Sequence, residues 1–110
     1  MTVGQASLNS VQDDFDREVE ALLSNLVLLV QELRPRVPRL ADQLERSSEA
    51  LTKEIADYGR PGREPLCSIK HQLELASRQD IASPTLQALL NLAHVFQENR
   101  FAGLTFRGGH

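Results

Sequence analysis

Leu8, Val11, Phe15, Val19, Leu22, Leu26, Leu29 and Leu33 follow one another at spacings of three and four residues. Apolar side chains in that rhythm fall on one face of an α-helix, so the first third of the chain reads as a helix of about seven turns built to lie against other helices. Leu23, Val27 and Val30 widen the face, while Leu28 alone points away, among Ser24, Gln31 and Glu32. Residues 1–7 carry small and polar side chains and are expected to be loose. Asn9 or Ser10 can cap the first free amides, which places helix 1 at 8–33.

Arg34-Pro35-Arg36-Val37-Pro38-Arg39 interrupts the pattern. Each proline lacks an amide donor and crowds the preceding turn, a cost of about 3 kcal/mol inside a helix. The economical expectation is a tight turn into an antiparallel second helix at 38–58, with Val37, Leu40, Leu44, Leu51, Ile55 and Tyr58 as its apolar line and Ser47 in the gap. That line stays in phase with helix 1 across the prolines, so one kinked helix from about residue 9 to 58 is a competing geometry. Asp42 with Arg46 and Glu49 with Lys53 sit four residues apart on the polar side, a spacing that favours ion pairs on a solvated face.

Gly59-Arg60-Pro61-Gly62-Arg63-Glu64-Pro65 is a clear break, glycine suiting the end of one helix and proline the first turn of the next. Helix 3 is expected at 65–79 with Leu66, Ile69, Leu73 and Ala76 on one side. Ser83-Pro84, a capping residue followed by proline, opens helix 4 at 84–99. Leu86, Ala88, Leu89, Leu90, Leu92, Ala93, Val95 and Phe96 sweep most of that helix's circumference, which predicts either the centre of a bundle or a partner's binding surface. In the tail at 100–110, Phe101, Leu104 and Phe106 suit either a strap laid across the bundle or an extended segment bound to another chain. The fold class is therefore all-α: a small bundle of about four helices in one domain, a long coiled-coil-like hairpin followed by a shorter helix pair.

Composition narrows the function classes. The 110 residues are 41% apolar but only 5% aromatic, and Leu dominates, as in helical proteins. A net charge of −3 argues against nucleic acid, which requires a concentrated basic surface. The acids of helix 1, Asp13, Asp14, Asp16, Glu18 and Glu20, lie toward the positive end of its dipole. Arg34, Arg36 and Arg39 keep the turn soluble or dock an acidic partner. The longest apolar run, 26–30, falls far short of the roughly twenty residues of a membrane span. No basic stretch followed by an apolar core opens the chain, and a lone Cys67 fits a reducing compartment, so a cytoplasmic protein is expected.

Candidate chemistry is sparse. Cys67 and His71 share one face of helix 3 with Glu74 and Arg78, yet His94 and His110 lack the spacing to complete a zinc site. A Cys-His nucleophile would need an orienting group and an oxyanion-binding turn, and neither is visible. No phosphate loop, nucleophile elbow or paired-carboxylate motif occurs. Helix 4 offers Gln87, Asn91, His94 and Glu98 rather than a basic recognition face. The segment His71-Gln72-Leu73 resembles histidine phosphotransfer domains, helical domains of about this length whose exposed histidine is followed by x-Leu-Lys-Gly. That resemblance implies phosphotransfer through His71, although Glu74 and Leu75 replace the lysine and glycine.

The expectation that follows is a non-catalytic helical subunit, a scaffold or chaperone-like component without cofactor, catalytic residue or metal, assembling by helix packing into a homo- or hetero-oligomer. Its predicted contact residues are Phe15, Val19, Leu22, Leu26, Leu29, Leu33, Leu40, Leu44, Leu51, Ile55, Leu89, Leu92 and Phe96.

Overall fold

A computed structural model describes the backbone of residues 3–98, 101 and 103–107 and the side chains from Val11 onward. Four helices follow in order: α1 (Val3–Leu33), α2 (Pro38–Tyr58), α3 (Arg63–Ser77) and α4 (Pro84–Gln97). Each packs on the next in sequence, and α4 returns to α1, while the diagonal pairs stand farther apart across the core. The result is an up-down-up-down ring around one apolar core.

The prolines make a turn. Leu33 is the last residue of α1, and its carbonyl accepts from the amides of both Arg36 (2.9 Å) and Val37 (2.7 Å). Pro35 sits inside the turn, where no donor is missed, and Pro38 opens α2. One helix from residue 9 to 58 would be about 75 Å long. The longest dimension of the molecule is 53 Å, and α1 packs on α2, which removes the kinked-helix geometry.

α1 starts at Val3, not at 8, so the expected loose segment at 1–7 is helical from its third residue. Once a helix is nucleated each further residue extends it cheaply, and the added segment from Val3 contains no proline, although Gly4 weakens it. The side chain of Leu8 lies outside the described residues. α2 has the bounds read from the sequence, and Gly59 ends it in the left-handed conformation (φ 79°, ψ 7°). α3 begins two residues earlier than expected, because extended Gly62 precedes Arg63 and Pro65 fits the first turn, where amides have no helical partner. It also ends two residues early, at Ser77, and Asp80 reverses the chain with φ 55°. α4 stops at Gln97 rather than 99. Its cap is as expected: the Ser83 hydroxyl accepts from the Leu86 amide at 3.2 Å. The same hydroxyl donates to Glu32 at 2.6 Å, and Thr85 donates to the other Glu32 oxygen at 2.8 Å, tying the start of α4 to the end of α1.

The core holds Phe15, Val19, Leu22, Leu26, Leu29, Val30 and Leu33 from α1, Leu40, Ala41, Leu44, Leu51 and Ile55 from α2, Leu66, Ile69, Leu73 and Ala76 from α3, and Leu86, Leu89, Leu92 and Ala93 from α4. Three expected members are outside it: Val27, Tyr58 and Val11 are exposed. Val27 lies at the edge of the apolar face, beyond the reach of α2. Tyr58 is the last residue of α2, past the packed turns. Val11 lies on the part of α1 that outruns the shorter α2.

The wide apolar sweep of α4 marks neither the bundle centre nor an open surface. α4 takes an ordinary quarter of the ring against α1 and α3, and none of its large apolar side chains is exposed. At the end of α4 the tail adds a further wall, over Phe96. Phe101 meets Phe15 and Phe96 with ring centroids 5.4 and 6.0 Å apart, and Phe15 and Phe96 are 6.1 Å apart, all at steep or tilted angles that suit aromatic contacts. Leu104 and Phe106 pack on the same core. The Phe106 amide donates to the Gly59 carbonyl, and the Arg107 guanidinium reaches Asp13 and Asp16 at 3.3 Å each.

Candidate interaction surface

The residues expected to meet a partner meet each other. Phe15, Val19, Leu22, Leu26, Leu29, Leu33, Leu40, Leu44, Leu51, Ile55, Leu89 and Leu92 are all buried, and Phe96 is half-buried against Phe15 and Phe101. The seam on helices 1 and 2 closes on α3, α4 and the tail. Contact with another chain must therefore use side chains that this seam leaves outside.

One such surface lies along the outer side of the α1–α2 hairpin. A groove of about 720 Å³ runs between the two helices over residues 26–34 of α1 and 45–56 of α2. Val27, 58% exposed, forms one wall above Val30. The other wall is made of Ser48, Thr52 and Ala56, small residues at four-residue spacing that stack on one line of α2. The two hydroxyls are spent on their own helix: Ser48 donates to the Leu44 carbonyl at 2.7 Å and Thr52 to the Ser48 carbonyl at 2.8 Å. The wall thus offers mainly hydrocarbon to whatever enters, and its small size lets another backbone approach closely.

Charges set the rim. At one end Arg34 bridges the turn to Asp42 (3.0 Å) and Glu45 (2.8 Å). This bridge replaces the expected Asp42–Arg46 pair. The expected Glu49–Lys53 pair is likewise absent from the ion pairs within 4.0 Å among the described residues. Glu49 and Lys53 both line the groove, one acid and one base a turn apart.

The chain matches no known protein family, no characterised protein and no solved structure.

The remaining polar clusters are dispersed. Cys67 is exposed, and its sulfur lies 3.9 Å from Gln97 Nε2, while Gln97 Oε1 accepts from Lys70 at 2.7 Å. His71 is exposed one turn beyond Cys67. His94 lies 2.8 Å from Glu98 on the outside of α4. Among the described residues no three potential ligands gather for a metal ion. A second recess, about 1,010 Å³, separates the end of α2 from the start of α3. It mixes Glu54, Arg60 and Arg63 with exposed Tyr58 and Cys67, and shows no convergent pair of catalytic groups. Within the described residues no helix is long and apolar enough to cross a membrane.

Sequence reasoning missed the groove although its signal was present. Ser48, Thr52 and Ala56 stand at regular spacing, but hydroxyls read as solvated polar positions until their own helix is seen to absorb the hydrogen bonds. Val27 flanks the seam, so its spacing alone places it on the widened apolar face.

Proposed function

We propose that this protein is a non-catalytic helical interaction subunit of a larger cytoplasmic assembly, and that the α1–α2 groove receives an amphipathic helix from another chain. The observation that carries the reading is the exposed Val27 facing a wall of small residues whose hydroxyls are already satisfied. An apolar helix face entering there buries hydrocarbon against hydrocarbon and leaves neither hydroxyl proton of that wall unpaired. The groove is open for two to three turns, about 12–17 Å, which accommodates a short helix. Glu49 and Lys53 suit a partner carrying a base and an acid one turn apart, which fixes its direction.

Photo-crosslinking tests this. A crosslinker placed at Val27 and, separately, at Thr52 is expected to trap one and the same polypeptide, and a crosslinker at Gln87 is not. Val27→Asp should abolish the product from position 52 without altering the melting temperature. No product from either groove position, or equal products from all three, defeats the reading.

A second reading rests on His71, whose imidazole is exposed on the outside of a helix in a four-helix bundle. Phosphotransfer requires that exposure, whereas Glu74 and Leu75 oppose it, by repelling a phosphoryl group and by obstructing its donor. Incubation with a phosphorylated receiver protein decides the matter: label on the wild type that His71→Gln abolishes supports it, and an unlabelled wild type ends it.

A further inference from the structure

The end of the bundle where α2 stops and α3 starts carries a seat that is already filled, by the chain's own tail. Phe101 meets Phe15 and Phe96, Leu104 and Phe106 pack on the core beside them, and Arg107 closes the segment against Asp13 and Asp16. The tail is attached as a docked peptide is. Among the described residues a single backbone hydrogen bond, from the Phe106 amide to the Gly59 carbonyl, joins it to the end of a helix. Its other polar ties run through side chains: Gln12 Nε2 donates to the Thr105 carbonyl at 2.9 Å, and Asp16 accepts from the Arg107 amide at 3.2 Å. Phe101, Leu104 and Phe106 are each only half-buried, whereas every helix contributes at least four residues to the buried core.

The seat is larger than its occupant. A cavity of about 60 Å³ remains between Phe15, Arg60, Pro61, Phe96 and Phe101. Next to it, sharing Arg60, Pro61 and Phe96, opens the recess of about 1,010 Å³ between α2 and α3. The described residues of the tail do not line that recess. They cannot extend into it, because the chain that leads to Phe101 comes from the end of α4, and Gln97 is part of the wall. A segment of another chain is free of that tether. It can lie where the tail lies and continue past the Phe101 position into the recess, against Tyr58 and Leu66.

Charge gives the seat a direction. Arg60 and Arg63 line the recess and appear in none of the ion pairs among the described residues, while Glu54, folded against Gly62, offsets one of them. The opposite end is acidic, with Asp13 and Asp16 on Arg107. We infer that this end of the bundle binds an extended segment of another protein in place of the tail, with the order acid, aromatic, leucine, aromatic, base. The acid lies toward Arg60 and Arg63, the apolar three take the positions of Phe101, Leu104 and Phe106, and the base meets Asp13 and Asp16. The tail is then a built-in competitor: it reduces the apparent affinity of the incoming segment in proportion to the fraction of molecules whose seat is open. Reach into the recess gives the incoming segment contacts that the tail lacks, and none of these residues belongs to the α1–α2 groove.

Fluorescence anisotropy of a labelled peptide tests this on the full chain. The peptide carries the sequence of residues 101–107 preceded by two glutamates, and it is expected to bind the wild type below about 1 mM. Phe106→Ala, which loosens the tail, should tighten binding at least about tenfold by opening the seat. Arg60→Glu together with Arg63→Glu should weaken binding of this peptide at least about tenfold, and change by less than about twofold that of a peptide with serines in place of the glutamates. In a Cys67→Ser background, Gly59→Cys with Thr105→Cys sets the two Cβ atoms 3.0 Å apart, just inside the roughly 3.5–4.5 Å that a disulfide spans. Oxidation should pin the tail and abolish binding, and reductant should restore it. Where that pair fails to fold, the Phe106→Ala comparison carries the test. Absence of binding to both the wild type and Phe106→Ala overturns the inference, as does binding that persists in the oxidised bridge or ignores the double arginine reversal. Val27→Asp should leave the peptide bound; its loss there would assign the peptide to the groove, so the two surfaces can fail separately.

Discussion

Gly59 is where the geometry makes its most specific demand. It ends α2 at φ 79°, a conformation that costs a residue bearing a side chain about 1–2 kcal/mol. A Cβ there would lie 3.0 Å from Thr105 Cβ and 3.2 Å from its Cγ2, closer than the roughly 3.5–4.0 Å at which carbon atoms attract. The Cγ2 methyl can turn away about χ1, but Cβ is fixed to the backbone, so the strap itself must shift. That shift loosens the hydrogen bond from the Phe106 amide to the Gly59 carbonyl, worth about 0.5–1.5 kcal/mol. Gly59→Ala is therefore expected to lower stability by about 2–3 kcal/mol, measured by urea unfolding followed by far-ultraviolet circular dichroism. In a Thr105→Gly background the crowding is gone and the same substitution should cost only about 1–2 kcal/mol. Equal costs in the two backgrounds would refute the contact between the strap and Gly59. A cost under about 0.5 kcal/mol would refute the left-handed geometry itself.

Other substitutions separate the core, the caps and the surface. Ser83→Ala removes both the α4 cap and the Glu32 anchor and should destabilise by about 1–2 kcal/mol in thermal unfolding. Gln72 Oε1 is buried without a hydrogen-bond partner, so Gln72→Leu should raise the melting temperature, with a gain of about 1 kcal/mol. Leu73→Ala, at a fully buried site, should cost about 2–5 kcal/mol. Val27→Ala, on the exposed groove wall, should stay within about 0.5 kcal/mol of the wild type in the same denaturant series. Asp16→Asn, which weakens the Arg107 tie, should cost less than about 1 kcal/mol, an effect that fades in high salt.

The fold was readable where one residue type does one job. The Phe15-to-Leu33 stripe, the Gly59-to-Pro65 break and the Ser83-Pro84 start each follow from local chemistry, and the core line of α3 is the one its spacing implies. Legibility failed where a side chain's meaning depends on a distant segment. The apolar sweep of α4 is wider than the face its two helix neighbours cover, and Phe96 at its end is met by Phe101, whose segment belongs to no helix and carries no periodic pattern. The Ser48–Thr52–Ala56 wall looked polar because hydroxyls reveal their partners only in the folded helix. Tyr58 and Val11 fit the periodic lines of their helices, yet periodicity does not say where the neighbouring helix stops. Site residues were drawn from the most apolar positions, and these are the ones a bundle consumes first.

The aromatic contact between Phe15 and Phe101 joins positions 86 residues apart, whereas the α1–α2 turn closes over a handful. Bringing distant segments together carries the larger entropy of loop closure, so the hairpins can assemble on local contacts while the strap must wait for them. The strap is then a seal set last and lost first. Its detachment would bare Phe15 and Phe96, so unfolding is expected to begin at that end.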